Sequence, residues 1–583
     1  MSDKGSFAGN GGGGPGVEVF QATEAEGLDV GISEGGYVQS GGGQQDGPGS
    51  GPTGAGVPGD RIFGSPAPVD KRLQISDALV QVLKKLPYKP EHPHCPGFGT
   101  LGIPITVGAN FAVKFKKQLS SRSEIAAAGR RPNVKDGSWN ILDVEFHPGA
   151  TVKSWCVLVV LDGRPAFGGN PNDQALTSVW QGFAQKCRRS GMKVEKDPKV
   201  LFTPQLPPQV EDPNRQRALD MIRQTIVESN NPREKPSFIL VLLSGRDNFI
   251  YPGIKRLCDM VLGVHTLHML IEKVLRDHPK QDQHFSNVAL KLNIKLGGIN
   301  HLLDPASTKW LTRKKTMVLG MDVTHPSPGS LEGTPSIAAV VGSVDDKFVQ
   351  FPASLRCQES KKEMITNLAE MVTERLRQYQ EVSKALPDRV FVYRNGVSER
   401  NSLVSWMPSD ANRGKPYRPA LTIIICGKCH HMKFFPVRPE FGLGTVVDKG
   451  ITSVFDFDFY LQAHAGLQGH VKSTHYTVVY DENKLEADEV QQGLNTASYL
   501  YARATQAVSL VPAAYYADLA CKRGRCYLNE FLQADDKSST LVSRGSGHSR
   551  QAKEEARRKV YNDAVKALAA GAHPDLKDSM FYI

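Results

Sequence analysis

Met317-Val318-Leu319-Gly320-Met321-Asp322-Val323-Thr324-His325-Pro326 is the stretch from which the fold is read. A short apolar run bounded by Gly and Pro predicts a buried strand. Asp322 stands inside it, and a carboxylate there is costly unless it is paired or holds a metal. A structural aspartate at a turn or cap is the bland explanation; the sequel weighs against it. Ser336 to Val344 and Phe348 to Cys357 predict a hairpin turning at Asp345-Asp346-Lys347. A helix carrying Glu363 near its start follows, then a strand from Arg389 to Tyr393 that runs into Arg394-Asn395-Gly396-Val397-Ser398-Glu399. Much later Tyr515-Tyr516-Ala517-Asp518 opens the last substantial helix.

Strand, hairpin, helix, strand, with acidic groups at element ends, is how an RNase H-type sheet presents ligands to two divalent cations. At these residues a resemblance becomes specific. Met321-Asp322-Val323-Thr324-His325-Pro326, Pro335-Ser336-Ile337-Ala338-Ala339-Val340-Val341-Gly342-Ser343 and Tyr393-Arg394-Asn395-Gly396-Val397-Ser398-Glu399 resemble Argonaute PIWI-domain signatures. So do Phe457-Asp458-Phe459-Tyr460-Leu461, His464-Ala465-Gly466, Thr474-His475-Tyr476 and Pro512-Ala513-Ala514-Tyr515-Tyr516-Ala517. The chain is similar to the C-terminal half of a eukaryotic Argonaute, most like the fungal ones. The resemblance covers Arg131 to Ile583, with a fragment around Pro96 to Phe111.

By length alone, 583 residues suggest three or four domains. The formal charge of +11 suits a polyanionic partner, and would equally suit an anionic membrane surface. Nothing resembles a signal peptide, and no run of about 18 apolar residues predicts a membrane span. Nine cysteines scattered without a framework read as reduced thiols. The expected setting is cytoplasmic, with the nucleus as the other compartment such thiols allow.

Residues 1–68 are Gly-rich and poor in large apolar side chains, which predicts a disordered leader. The resemblance then implies a remnant of an N domain (69–118), a linker (119–154), a Rossmann-like MID domain (155–305) and an RNase H-like PIWI domain (306–583). The expected fold class is therefore α/β throughout the resembling region. Between Phe111 and Arg131 the family has most of an N domain, another linker and the PAZ domain that holds a guide's 3′ end; here only a handful of residues intervene. A shortened paralogue, an engineered deletion and a defective gene model all account for that.

Val157 to Leu161 and Phe238 to Leu243 predict buried strands, with helices around Leu176 to Arg189 and Asn214 to Glu228. Pro252 suits a first helical turn. Tyr251 and Lys255 are four apart on that helix start, where free N–H groups attract anions. A further helix turns Phe285, Val288, Ala289 and Leu292 inward, with Lys291 and Lys295 again four apart, and ends at Gly297-Gly298. Paired lysines are usually a solvated face. The resemblance implies more: a pocket for a guide's 5′ phosphate, with Tyr251 stacking on the 5′ base, Lys255, Lys291 and Lys295 binding the phosphate, and Arg523 reaching in from the PIWI side. Clustered cations and helix-start amides are the chemistry a phosphate monoester needs. The family usually has Gln-Cys after the Thr of this strand, whereas Leu267-His268 follow Thr266. Leu267 offers no side-chain hydrogen bond, so binding is expected to survive but weaken.

In the family, two aspartates, a helix-borne glutamate and a fourth His or Asp bind two Mg²⁺ ions. The matching positions are Asp322, Glu363, Asn395 and Asp518. Asn395 stands where the second aspartate belongs, and a neutral amide oxygen is a weaker ligand for a hard cation and cannot bridge two. Mg²⁺ binding is expected to be weakened and target cleavage impaired or lost. After Glu399 the segment to Ala420 has neither the period nor the length of the family's next helix. Cys426-Gly427-Lys428-Cys429-His430 has the C-x-x-C-H spacing, but no second Cys/His pair at finger spacing supports zinc. A helix is expected from Glu486 to Ala507 and a last one from Ala552 to Leu568, with Ala556, Val560 and Ala564 inward.

The resemblance thus implies a guide-RNA-binding silencing protein with little slicing, its partners being a 5′-phosphorylated guide, a complementary target and silencing-complex proteins, with no membrane. An active Mg²⁺-dependent endonuclease and a scaffolding or non-functional remnant are the alternatives left open.

Overall fold

The computed structural model describes residues 137–139, 145–163, 167–229, 234–303, 305–327, 329–396, 417–432, 434, 443–464, 471–529 and 550–583. The expected leader, the N-domain remnant, most of the linker and the segment after Glu399 lie outside these residues.

The first unit runs β1 (Thr151–Val152), β2 (Trp155–Val159), α1 (Gln174–Arg189), β3 (Lys193–Val194), β4 (Lys199–Phe202), α2 (Gln216–Ser229), β5 (Phe238–Leu243), α3 (Ile250–Arg256), β6 (His265–Leu270), α4 (Ile271–Val274) and α5 (His278–Lys295). Strands β4, β2, β5 and β6 form an all-parallel sheet in that order. Its two central strands read as unbroken apolar runs because both faces are covered. Leu240, Leu242, Leu267 and Met269 point to α1 and α5, meeting Phe183 and Phe285. Ile239, Val241 and Leu270 point the other way, to Ile222 of α2 and Ile254 of α3. Alternation along each strand thus feeds two separate cores. Phe285, Val288, Ala289 and Leu292 of α5 are buried as expected, and the helix stops at Lys295, ahead of Gly297 with its φ of +81°.

The second unit runs α6 (Pro305–Thr312), β7 (Thr316–Thr324), β8 (Ser336–Gly342), β9 (Ala353–Gln358), α7 (Leu368–Ser383), β10 (Arg389–Asn395), β11 (Ala420–Gly427), β12 (Thr445–Val447), β13 (Phe457–Gln462), β14 (Thr474–Asp481), α8 (Ala487–Ala497), α9 (Pro512–Tyr527) and α10 (Arg550–Leu568). Eight strands form a mixed sheet in the order β12-β13-β14-β11-β10-β7-β8-β9. Strand β10 is parallel to both β7 and β11, and the remaining pairs are antiparallel. Met371, Val372 and Leu376 of α7 cover one face, against Leu319, Met321, Val340 and Val392. Helix α9 lies across β7 and β8 on the other, so closely that a Cβ on Gly320 would stand 1.9 Å from the Ala513 carbonyl oxygen. Only glycine permits that approach.

Three expectations are corrected. Glu363 is not on a helix: it sits in the connection before α7, held by Gln358, whose amide donates to Met364 O (3.1 Å) and whose oxygen accepts from Thr366 N (3.2 Å). The helix expected to reach Ala507 ends as an α-helix at Ala497, followed by a short 3-10 turn at Ser498–Leu500. Leu500, Ala504 and Val508 are still buried, and the chain's polar groups are met from elsewhere: Ala502 N donates to the Tyr516 hydroxyl (2.8 Å) and Val508 N to Ser498 O (3.1 Å). In α10, Ala564 and Leu568 are buried and Val560 half-buried, but Ala556 faces solvent.

Candidate functional site

Strand register brings the first group together. Asn395 ends β10 next to Asp322 of β7, since Arg394 pairs with Met321. Asp518 comes from α9, which crosses the same strand. The three meet: the Asn395 side chain hydrogen-bonds Asp322, and Asp518 acts on Asp322 through its charge. Burial, and then the facing Asp518, push the Asp322 carboxyl up to about 7, partly offset by Arg394, the Val323 N–H and Asn395. Arg394 Nη1 is 3.9 Å from Asp322 Oδ1, and Lys522 is 3.0 Å from Asp518 one helical turn on. Cys521, its thiol pushed up by burial and by both aspartates, donates to Asp322 O and Ile337 O at 3.4 Å. It is therefore a packed thiol rather than a nucleophile.

Glu363 has other partners. Its Oε1 is 2.8 Å from His325 Nε2, whose Nδ1 is 2.7 Å from Ser336 Oγ, and its carbonyl accepts from Arg394 at 2.8 Å. Among the described residues, no three His, Cys, Asp or Glu side chains come together in a group able to hold a metal ion. The donor set as it stands is two facing carboxylates, one neutral amide and a glutamate engaged with a histidine. That set fits two divalent cations poorly, since the neutral amide and the glutamate held by His325 leave too few free anionic oxygens for both. The Cys-x-x-Cys pattern does not converge either: Cys426 is buried at the end of β11 and Cys429 is exposed.

The second group lies between the units. Tyr251 and Lys255 sit on one face of α3, the ammonium 5.8 Å from the ring centroid. Lys255, 3% exposed, donates to both oxygens of Thr266 at 2.9 Å. Lys295, 1% exposed, donates to Phe581 O, and Lys291 lies half-buried one turn earlier on α5. Arg523 crosses from α9 to Asp259 Oδ2 (3.2 Å) and Tyr582 O (3.3 Å). Burial opposes the Arg523 charge, but Tyr251, Asp259, Tyr527 and Cys526 outweigh it and hold its pKa well above the ordinary value. His265 is kept neutral by burial and by Lys295 and Lys255, so it adds no charge here. Leu267, expected at the pocket, packs instead into the core with Trp155 and Phe238. His268, on the opposite face of β6, meets Tyr251 edge-on at 4.8 Å.

Reasoning from sequence missed His268 and Asp259. Asp259 carried a signal, since it follows Lys255 at the same four-residue spacing that paired Tyr251 with Lys255. Among the described residues, no helix is long and apolar enough to cross a membrane.

Residues 238–529 match the Piwi domain family. Protein argonaute 1B of Oryza sativa subsp. japonica is 31% identical over 525 residues, covering 81% of this chain and 45% of that protein. Protein argonaute 1A of the same organism is 31% identical over 501 residues, covering 78% and 44%. The C-terminal lobe of a budding yeast Argonaute superposes with a TM-score of 0.61 at 26% identity, over 77% of this chain and 89% of that one. Kluyveromyces polysporus Argonaute, solved with a guide RNA, gives 0.60 at 26% identity, over 77% and 53%. The chain spans less than half the length of these curated relatives.

Proposed function

The chain belongs to the Argonaute family, and on that footing we propose that it binds a small guide RNA by its 5′ phosphate, pairs the guide with a complementary target, and does not cut that target. The observation that carries the binding half is the junction between the units: Lys255, Lys295 and Arg523 are all buried there beside Tyr251, and the charges of Lys255 and Lys295 both act on His265. Buried cations are rare unless they have an anion to meet. Their partners include the Thr266 and Phe581 oxygens, Tyr582 O and the Asp259 carboxylate. A dianionic terminus supplies the stronger charge-assisted acceptor. Tyr251 offers a ring face at the same place, the usual way to hold an unpaired base.

The second half rests on Asn395. With the Asn395 amide bonded to Asp322 where a third charged ligand would stand, the site offers two divalent cations one carboxylate fewer. The protein's use of the site is then to hold a duplex rather than to hydrolyse it, and silencing would proceed through partner proteins.

The test is one RNA carrying a 5′ phosphate or a 5′ hydroxyl, with binding followed by target cleavage in Mg²⁺, for wild type and Asn395→Asp. Expected are at least tenfold tighter binding of the phosphorylated end, no cleavage by wild type, and cleavage by Asn395→Asp. Equal affinity for the two ends would overturn the pocket, and cleavage by wild type would overturn the silence of the site.

A further inference from the structure

Asp259 is the one carboxylate among the cations described above. It lies one turn after Lys255, in the π-type turn Leu257–Leu262 that continues α3, and is 1% exposed. Its Oδ2 accepts from Arg523 Nη1 at 3.2 Å and from the Tyr527 hydroxyl at 2.8 Å, while Oδ1 has no hydrogen-bond partner. Its backbone carbonyl accepts from His573 N at 2.9 Å. Three groups of the second unit thus converge on one residue of the first.

A carboxylate this buried holds its counter-ion firmly, because removing the partner strands a charge in a low-dielectric interior. Arg523 is therefore not at liberty to turn. Asp259 grips one arm of the guanidinium at Nη1, and Tyr582 O takes the other at Nη2. The lysines of the pocket are compact charges that attract any anion, whereas a guanidinium recognises phosphate through a planar fork whose value depends on its aim. We propose that Asp259 is a positioning residue: it fixes the plane of Arg523 and thereby sets how strongly the protein prefers a 5′-phosphate end over a 5′-hydroxyl end. This rests on the guide-binding reading above. It also makes that preference depend on how the units are seated. Tyr527, which shares the same carboxylate oxygen, lines a cleft of about 680 Å³ between them together with Pro252, Arg256 and Val261.

The measurement is the affinity of the full chain for one fluorescent RNA with either end, for wild type, Asp259→Asn, Arg523→Ala and the double variant. Asp259→Asn keeps the shape and an acceptor oxygen, and is expected to lower the phosphate-to-hydroxyl affinity ratio about tenfold. Because Asp259 acts through Arg523, it should change nothing further in the Arg523→Ala background. A purely structural residue would lower the melting temperature and both affinities together and leave the ratio intact, which overturns the proposal. A further loss of ratio in the Arg523→Ala background overturns it as well. A wild-type ratio near one would instead overturn the guide-phosphate reading on which this rests.

Discussion

Asp322 is a carboxylate that the fold treats as an acid. With its carboxyl pushed up to about 7 by burial and by Asp518, the protonated form is favoured in the folded chain. The stability this brings is full below the ordinary carboxylate range and is lost as pH rises through 7. Asp322→Asn removes the penalty, so it is expected to stabilise the protein by roughly 1–3 kcal/mol at pH 8 and hardly at all at pH 3. Urea unfolding at the two pH values measures this; an equal effect at both would mean that Asp322 ionises freely. The Asp322 position was readable because an acid inside an apolar run is conspicuous. The engagement of Glu363 with His325 was not, because it depends on Gln358 shaping a connection that has no periodic signal. Leu267 misled for a simpler reason: motif order named the position, but strand alternation turned its side chain to the core and brought His268 to Tyr251.

At the level of elements, α9 and β7 are one device. Asp518 reaches Asp322 because the Ala513 carbonyl rests almost on Gly320. Gly320→Ala is expected to cost roughly 3 kcal/mol in chemical denaturation, since neither backbone can yield without moving the other. A cost under about 0.5 kcal/mol, the range of a neutral surface change, would show the approach to be slack. Strands were the easier elements to read: β5, β7 and β8 are bounded runs whose both-sided burial leaves few polar residues. Helix ends were harder. The apolar period after Ala497 continues through Leu500 and Ala504, but it reports burial, and burial is satisfied here by an irregular segment whose amides find Tyr516 and Ser498. In α10 the inward side begins only near Val560, because its first turns meet the polar loop at Glu332 and Gly333 rather than the sheet.

Across the whole molecule, the two cores meet at the cation pocket and are closed by the last residues. Phe581, Tyr582 and Ile583 are each under 5% exposed, and the Tyr582 hydroxyl donates to Phe351 O. Deleting Phe581–Ile583 removes both carbonyls that hold Lys295 and Arg523. It is expected to lower stability by more than about 3 kcal/mol and to abolish the proposed preference for a phosphorylated end. Retention of that preference at full strength in a folded truncation would detach the terminus from the pocket. The order of the units was legible from motifs, each lying on a strand or helix of its own. Their junction was not, since Lys295 and Phe581 are 286 positions apart and no local pattern links them. That separation has a consequence in time. At about 5–20 residues per second of synthesis, Lys295 is made roughly 15–60 s before its acceptor. Until then a lysine destined for the interior stays in water. The first unit, however early its sheet closes, holds only half of this cation cluster until the second unit is made.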